Sequence, residues 1–174
     1  MPTLLFIPGL LLTPRLYDAQ VAALRGRYSI AFADTFGMNS ITAMAEKALA
    51  SVDGDIIPIG LSMGGYVSLE IARLAPHRLR ALVAMDSNAT TDSPERKAER
   101  KRLIEMSSIG KFRGVTKTLL PQFIAEANLD DETITRPIMD MAEEVGRDNF
   151  LSQQEAIMER RDQMDTLKGL DCPG

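Results

Sequence analysis

The sequence has few of the side chains that build disulfides and metal sites. Its 174 residues include one cysteine, Cys172, and one histidine, His77. A single thiol excludes an internal disulfide, and its presence is compatible with a reducing cytoplasm. No spacing of cysteine and histidine indicates a metal ligand set. The sequence therefore predicts a fold that is stabilised by its core, without disulfides or a metal.

Positive charge is also limited. The chain has 20 lysines and arginines against 24 aspartates and glutamates, a formal net charge of −4. Nucleic-acid binding favours basic surfaces, so this balance argues against a nucleic-acid partner. The apolar start lacks a basic leader and is interrupted by Pro8 and Gly9, so neither a signal peptide nor a membrane span is expected. These absences predict a cytoplasmic protein with no membrane partner.

Apolar side chains are abundant, at 45% of the chain, which is enough for one domain with an inserted helical region. Apolar runs predict four strands, near 3–7, 28–34, 55–60 and 79–85. Amphipathic stretches between them predict three helices, near 16–25, 40–52 and 64–74. Strands that alternate with helices predict a parallel sheet with helices on both faces.

The most informative motif is Gly-Leu-Ser-Met-Gly-Gly at residues 60–65. It follows an apolar run and precedes an amphipathic one, as a serine nucleophile on a strand-to-helix turn requires. Such a turn holds the serine in a strained left-handed conformation that presents its hydroxyl to solvent. Strand and helix pass so close there that Gly60 and Gly64 have little room for a Cβ atom. The motif makes Ser62 the candidate catalytic nucleophile, and a turn without chemistry is the alternative.

A second motif lies at the end of the first predicted strand, where Pro8 and Gly9 break the apolar run. In acyl-transfer sites built on such a serine, a loop after an earlier strand supplies one backbone amide of the oxyanion hole. Leu10 is the residue whose N–H would do so, paired with the N–H of Met63. A plain turn is the alternative for this motif, and the presence of the serine motif makes it the weaker interpretation.

With both motifs in place, the sequence resembles the α/β-hydrolase superfamily, and within it the small esterase and lactonase-like members with a helical cap. The matching segments are residues 6–10, 32–34, 60–66, 75–78, 82–86 and 161–162. Many members have His-Gly where this chain has Pro8 and Gly9, but the hole uses the following N–H, which survives that change. The implied fold is a partial α/β-hydrolase fold, mainly a parallel sheet flanked by helices, with a helical cap insertion.

The resemblance also implies a division of the chain. Residues 1–90 are expected to form the hydrolase core, residues 91–168 a helical cap or lid, and residues 169–174 the start of a further core portion. Within the cap, a helix is predicted to start at residues 92–95, with further helices near 111–127, 131–145 and 148–168. In the family order of strands, the strand near 28–34 lies at one edge, followed by 3–7, 55–60 and 79–85.

The catalytic acid and histidine follow the serine in this family, on loops after the last two strands. By resemblance both would lie beyond Gly174, so the chain is expected to be about the first two-thirds of a hydrolase. His77 is separated from Ser62 by a helix about 15 Å long, too far for a base to reach its nucleophile. Asp86, after the fourth strand, is either the acid, as in some members, or a carboxylate that caps loop amides, which we favour.

The resulting prediction is a serine hydrolase that cleaves a carboxylic ester or lactone through a Ser62 acyl-enzyme, without a cofactor. With no histidine base, residues 1–174 alone are expected to show little or no turnover. The alternative is a non-catalytic hydrolase-fold fragment or binding module. Acyl transfer or haloperoxidase-like chemistry is not separated from hydrolysis by the sequence. The strand near 79–85 would be an open edge, which predicts a homodimer through it.

Overall fold

The computed structural model describes residues 1–174 and contains one four-stranded sheet. Its strands are β1 (Thr3–Ile7), β2 (Ser29–Phe32), β3 (Ile56–Leu61) and β4 (Val83–Met85). They lie in the order β2-β1-β3-β4, and each neighbouring pair is parallel. The predicted strand order and the predicted parallel sheet are confirmed.

Three helices connect the strands in turn. They are α1 (Asp18–Leu24), α2 (Ile41–Ala50) and α3 (Met63–Leu74), which agree with the three predicted helices. The helix α2 begins after Ser40, whose hydroxyl accepts a hydrogen bond from the Ala43 N–H and so satisfies one of the free amides of the first turn. After each strand the chain therefore passes through a helix before it enters the sheet again, which is the connection that parallel strands need.

The helices cover both faces of the sheet because the side chains of β1 alternate between two apolar clusters. Leu4 and Phe6 pack with Tyr17 and Val21 on the face covered by α1. Side chains on the opposite face, including Leu5, pack against α2 and α3. A strand that is buried on both sides explains why the N-terminal run is apolar at every position rather than at every second one.

The last predicted strand is shorter than the sequence indicated. Of residues 79–85 only Val83–Met85 pair with β3, and Leu79 forms an isolated bridge to Ile56. The Leu82 N–H donates instead to the carbonyl of Pro173, at 2.9 Å, so the chain's last residues lie beside the start of this strand. The difference arises because an apolar run does not show at which residue the hydrogen bonds to the neighbouring strand begin.

Three helices follow β4, and no strand lies among them. They are α4 (Pro94–Ser107), α5 (Glu132–Met158) and α6 (Met164–Lys168). The helix α5 is kinked at Gly146, which has φ 74°, so the two predicted helices near 131–145 and 148–168 meet at this glycine. The second of them ends at Met158 rather than at 168. None of the chain's helices combines the length and apolar content needed to cross a bilayer.

The prediction of a helix at residues 111–127 is wrong. That segment contains two short 3₁₀ turns, Leu120–Gln122 and Glu126–Asn128, instead of an α-helix. Gly114 has φ 57°, and a Cβ atom there would lie 2.8 Å from the Cβ of Ala142, so the backbone turns tightly against α5 at this point. Such a turn and the proline inside the first 3₁₀ segment interrupt a helical pattern that the apolar spacing alone supports.

Candidate active site

The predicted turn joins β3 to α3, with Ser62 as its central residue. Ser62 has φ 53° and ψ −112°, a conformation that residues with a side chain rarely adopt. Its N–H donates to the Met85 carbonyl at 2.9 Å, and its carbonyl accepts from the Gly65 N–H and from the Ser87 hydroxyl. These bonds on both sides of the residue hold its backbone in the strained conformation that the motif predicts.

The glycines of the motif are needed because backbone atoms approach one another closely. A Cβ atom on Gly60 would lie 2.1 Å from the carbonyl oxygen of Gly64, so strand and helix meet there as expected. A Cβ atom on Gly64 would lie 2.0 Å from the carbonyl oxygen of Ile7. The second glycine is therefore required by the end of β1, a contact that the motif itself does not reveal.

The Ser62 side chain is only partly covered, and its hydroxyl makes no hydrogen bond within the chain. The loop after β1 lies directly against it. A Cβ atom on Gly9 would be 3.6 Å from the Cβ of Ser62 and 3.0 Å from the Leu61 carbonyl oxygen. The two predicted motifs are thus brought together at the carboxyl ends of β1 and β3, the edge where ligands bind in parallel sheets.

The two backbone amides expected beside the serine, those of Leu10 and Met63, donate no hydrogen bond within the chain. Their neighbours differ, because the Leu12 N–H donates to the Gly9 carbonyl at 3.2 Å and the Leu11 N–H to a glutamine side chain. Met63 is also the first residue of α3, where helix amides carry partial positive charge. Both amides are therefore without a partner within the chain.

The structure separates the chain's only histidine from this site. His77 is exposed in a 3₁₀ turn, Pro76–Arg78, that follows the C-terminus of α3, whereas Ser62 precedes its N-terminus. The 12 residues of the helix span about 18 Å. His77 therefore lies at the opposite end of α3 from the Ser62 hydroxyl, as the sequence predicts.

Asp86 follows β4 and is brought close to the serine turn. Its neighbours Met85 and Ser87 both bond to the backbone of Ser62. Asp86 has φ 44° and is exposed, and no loop amide donates to its carboxylate. The capping role that we favoured for it is not present. Asp34 does cap a loop, since its carboxylate accepts from the Phe36 N–H at 3.0 Å.

Tyr17 supports the site and was not singled out from the sequence. Its hydroxyl donates to the carbonyl of Ile7 at 2.9 Å and lies 3.4 Å from that of Ile59, and so it links the ends of β1 and β3. Burial raises the pKa of Tyr17 to about 12, which keeps the hydroxyl protonated as a donor. The sequence signal for this role is a tyrosine on the apolar side of the segment before α1. A buried tyrosine hydroxyl needs a hydrogen-bond partner, so that position indicates a contact with nearby backbone.

A cavity of about 220 Å³ lies beyond the serine turn, between α2, α3 and the end of α5. Its lining includes Tyr66, Glu70 and Arg160 but not Ser62. Burial by itself raises the pKa of Glu70, but hydrogen bonds from Arg73, Thr42 and Gln163 outweigh it, so the pKa lies below its ordinary value. These polar groups are paired with one another, which indicates a structural role.

No set of three or more His, Cys, Asp or Glu side chains is arranged to hold a metal ion.

Neither a protein-family model nor a curated protein sequence matches the chain. Solved structures do match. A thermophilic esterase from Thermogutta terrifontis is 26% identical, with a TM-score of 0.88 over 99% of this chain and 69% of the esterase.

Two further structures show the same fold at lower identity. The enol-lactonase from Burkholderia xenovorans LB400 is 19% identical, with a TM-score of 0.78 over 99% of this chain and 70% of the lactonase. A hydrolase from Pseudomonas aeruginosa is 21% identical, with a TM-score of 0.77 over 92% of this chain and 65% of the hydrolase. The chain therefore spans about two thirds of the length of these structural neighbours.

The parallel sheet, the strained serine turn and these neighbours together define an α/β-hydrolase fold. This fold confirms the resemblance to the α/β-hydrolase superfamily that the sequence shows. Hydrolase is accordingly the functional class that the fold and the neighbours support.

Proposed function

We propose that this protein is a serine hydrolase that cleaves a carboxylic ester or lactone through an acyl-enzyme on Ser62. The observation that carries the proposal is the combination of an unbonded Ser62 hydroxyl with the unbonded amides of Leu10 and Met63. The esterase and the enol-lactonase among the structural neighbours support this substrate class.

In the proposed reaction, the Ser62 oxygen attacks the substrate carbonyl carbon while a base accepts the hydroxyl proton. The carbonyl oxygen becomes an oxyanion, to which the Leu10 and Met63 N–H groups donate. The base then gives its proton to the departing alcohol oxygen. A water molecule, deprotonated by the same base, attacks the acyl-enzyme and releases the carboxylic acid and free Ser62.

The base in this proposal is a histidine supplied by a segment other than residues 1–174, because His77 lies at the wrong end of α3. Asp86 is retained as the alternative acid, since it is exposed and follows the strand that bonds to Ser62. The complete polypeptide is residues 1–174 together with any segment that supplies these groups. Residues 1–174 alone are predicted to turn over esters slowly or not at all.

We also propose that the helical residues 91–168 form a lid over the substrate, and that residues 1–90 and 169–174 belong to the core.

A homodimer through the edge of β4 stays a prediction, supported by the exposure of Val83, at 38%. The cytoplasmic location and the absence of a nucleic-acid or membrane partner stay predictions as well. No cofactor takes part in the proposed reaction.

Hydrolysis of short p-nitrophenyl esters by the complete polypeptide tests the proposal. Ser62→Ala is expected to lower kcat by a factor on the order of 10⁴ or more, because the attacking oxygen is removed. Ser68→Ala is the matched control, since Ser68 is buried in the same helix, α3, and its hydroxyl bonds only to the Gly64 carbonyl. A rate in Ser62→Ala equal to that of the wild type would refute the proposal.

The second candidate function is a binding module that keeps the pocket without catalysis. The remote position of His77 favours it for residues 1–174 taken alone, since a serine hydroxyl without a base is a weak nucleophile. Calorimetric binding of an ester by the complete polypeptide with no turnover would support this candidate. Turnover that depends on Ser62 would exclude it.

A further inference from the structure

We propose that Gln153 is a positioning residue for the oxyanion loop, which we define as residues 9–12. Gln153 lies in the second half of α5 and contacts neither Ser62 nor the two amides of the proposed hole through a hydrogen bond. The inference rests on the proposed function, because it concerns how one amide of that hole is held. It assigns to a helix of the predicted lid a role in the chemistry.

The geometry joins two distant parts of the chain through one buried side chain. Gln153 is fully buried, and its Oε1 accepts a hydrogen bond from the Leu11 N–H at 3.2 Å. Its Nε2 lies 3.4 Å from the hydroxyl oxygen of Thr35, to which it donates; Thr35 is itself buried. Because the Leu11 N–H can only donate and an amide nitrogen cannot accept, Oε1 must face the loop, which leaves Nε2 to donate to the Thr35 hydroxyl.

The residue held by Gln153 is one that needs support. Leu11 has φ 59°, in the left-handed region that residues with a side chain adopt only when their surroundings fix them. Its side chain is buried in an apolar cluster with residues of α5 and of the segment before it, including Val115, Phe150 and Ala142. Helix α5 and its neighbouring segment therefore hold both the backbone and the side chain of Leu11.

The peptide group that carries the Leu11 N–H is bonded directly to Leu10. If the bond to Gln153 is lost, Leu11 can relax to negative φ, and the peptide plane between the two leucines rotates. That rotation shifts the Leu10 Cα and so turns the preceding peptide, which carries the Leu10 N–H, away from the place proposed for the oxyanion beside Ser62. Gln153 therefore affects the reaction only through Leu11 and Leu10, and it does not touch the substrate.

An oxyanion forms only in the transition state, so a misdirected Leu10 amide lowers kcat and leaves ground-state binding unchanged. Gln153→Met removes both polar atoms at similar side-chain volume. We expect it to lower kcat on p-nitrophenyl esters by about 10- to 100-fold, with KM changed by less than about twofold. Gln153→Glu keeps an acceptor for the Leu11 N–H, so it is expected to retain more of kcat than the methionine variant.

Gln154→Met is the matched control. Gln154 is equally buried on the same turn of α5, but its Oε1 accepts from Arg100 and makes no bond to the oxyanion loop. This variant is expected to keep the wild-type kcat. A second measurement, amide hydrogen exchange in peptides that cover residues 9–12, is expected to be faster in Gln153→Met and unchanged in Gln154→Met.

The outcomes separate the inference from the proposed function. With an active wild type, a kcat in Gln153→Met equal to that of the wild type, or an equal loss in both methionine variants, overturns the inference alone. Unchanged exchange at residues 9–12 in Gln153→Met also overturns it. A wild type without ester turnover overturns the proposed function, while selective exchange in the same samples would still support the contact between Gln153 and the loop.

Discussion

At the scale of single residues, the site depends on main-chain atoms that come closer together than a side chain allows. The Cβ atom that any other residue would add at position 60 would lie 2.1 Å from the Gly64 carbonyl oxygen. That oxygen belongs to the backbone of α3, so it cannot move aside without moving the helix. The spacing of Gly60 and Gly64 around Ser62 predicted this approach, because the constraint is local in the sequence.

Gly60→Ala should therefore destabilise the protein strongly, by about 3 kcal/mol or more in the free energy of unfolding. Urea unfolding followed by circular dichroism measures the change. Gly169→Ala is the matched control, since Gly169 has φ −89° and the nearest atom to an added Cβ is 3.3 Å away. We expect a change of less than about 1 kcal/mol there. Equal unfolding free energies for the two variants would contradict the close approach.

At the scale of elements, a buried group of charges ties the later helices to the serine helix. Asp92 precedes α4, and its carboxylate accepts from Arg100 in α4 at 2.5 Å and from Arg160 after α5 at 2.8 Å. The guanidinium of Arg160 also stacks on the ring of Tyr66 in α3, 4.1 Å from its centroid. Sequence reasoning placed Asp92 in a helix start, but its partner 68 residues away could not be identified from local pattern.

The ion pairs of Asp92 with Arg100 and Arg160 are expected to make the stability of the protein depend on pH. Burial by itself raises the pKa of Asp92, but the hydrogen bonds from Arg160 and Arg100 outweigh it, so the pKa lies below the ordinary value of 3.8. The unfolded chain then binds a proton at a higher pH than the folded one. The stabilisation is therefore fully present above about pH 4 and is lost as the pH falls through the lower folded pKa.

Asp92→Asn is expected to lower the free energy of unfolding by about 3 kcal/mol at pH 7, because the buried guanidinium of Arg160 and the partly buried one of Arg100 lose their counter-charge. The difference from the wild type should narrow below about pH 4. Urea unfolding at pH 7, 5, 4 and 3 measures it. Asp171→Asn, at an exposed aspartate, should stay within about 0.5 kcal/mol of the wild type. A difference for Asp92→Asn that does not change with pH would show that its charge is not the cause.

At the scale of the whole molecule, the sequence predicts what depends on local pattern. The alternation of strands and helices predicted the parallel sheet, and the family resemblance predicted the order of its strands. The motifs at residues 8–10 and 60–65 predicted which two loops meet. The helix predicted at 111–127 failed because a tight glycine turn against α5 overrides apolar spacing. The contacts of Gln153 with Leu11 and of Tyr17 with Ile59 join residues far apart in the chain, so no short motif records them.

The activity proposed for the whole molecule requires that Ser62 is a nucleophile faced by two free amides. Treatment of the complete polypeptide with a fluorophosphonate probe, followed by proteolysis and mass spectrometry, tests it most directly. A phosphonyl adduct is expected on Ser62 and is abolished in Ser62→Ala, and residues 1–174 alone, where no base is within reach, are expected to be labelled slowly. An adduct on another residue, or no adduct on the complete polypeptide, would contradict the claim.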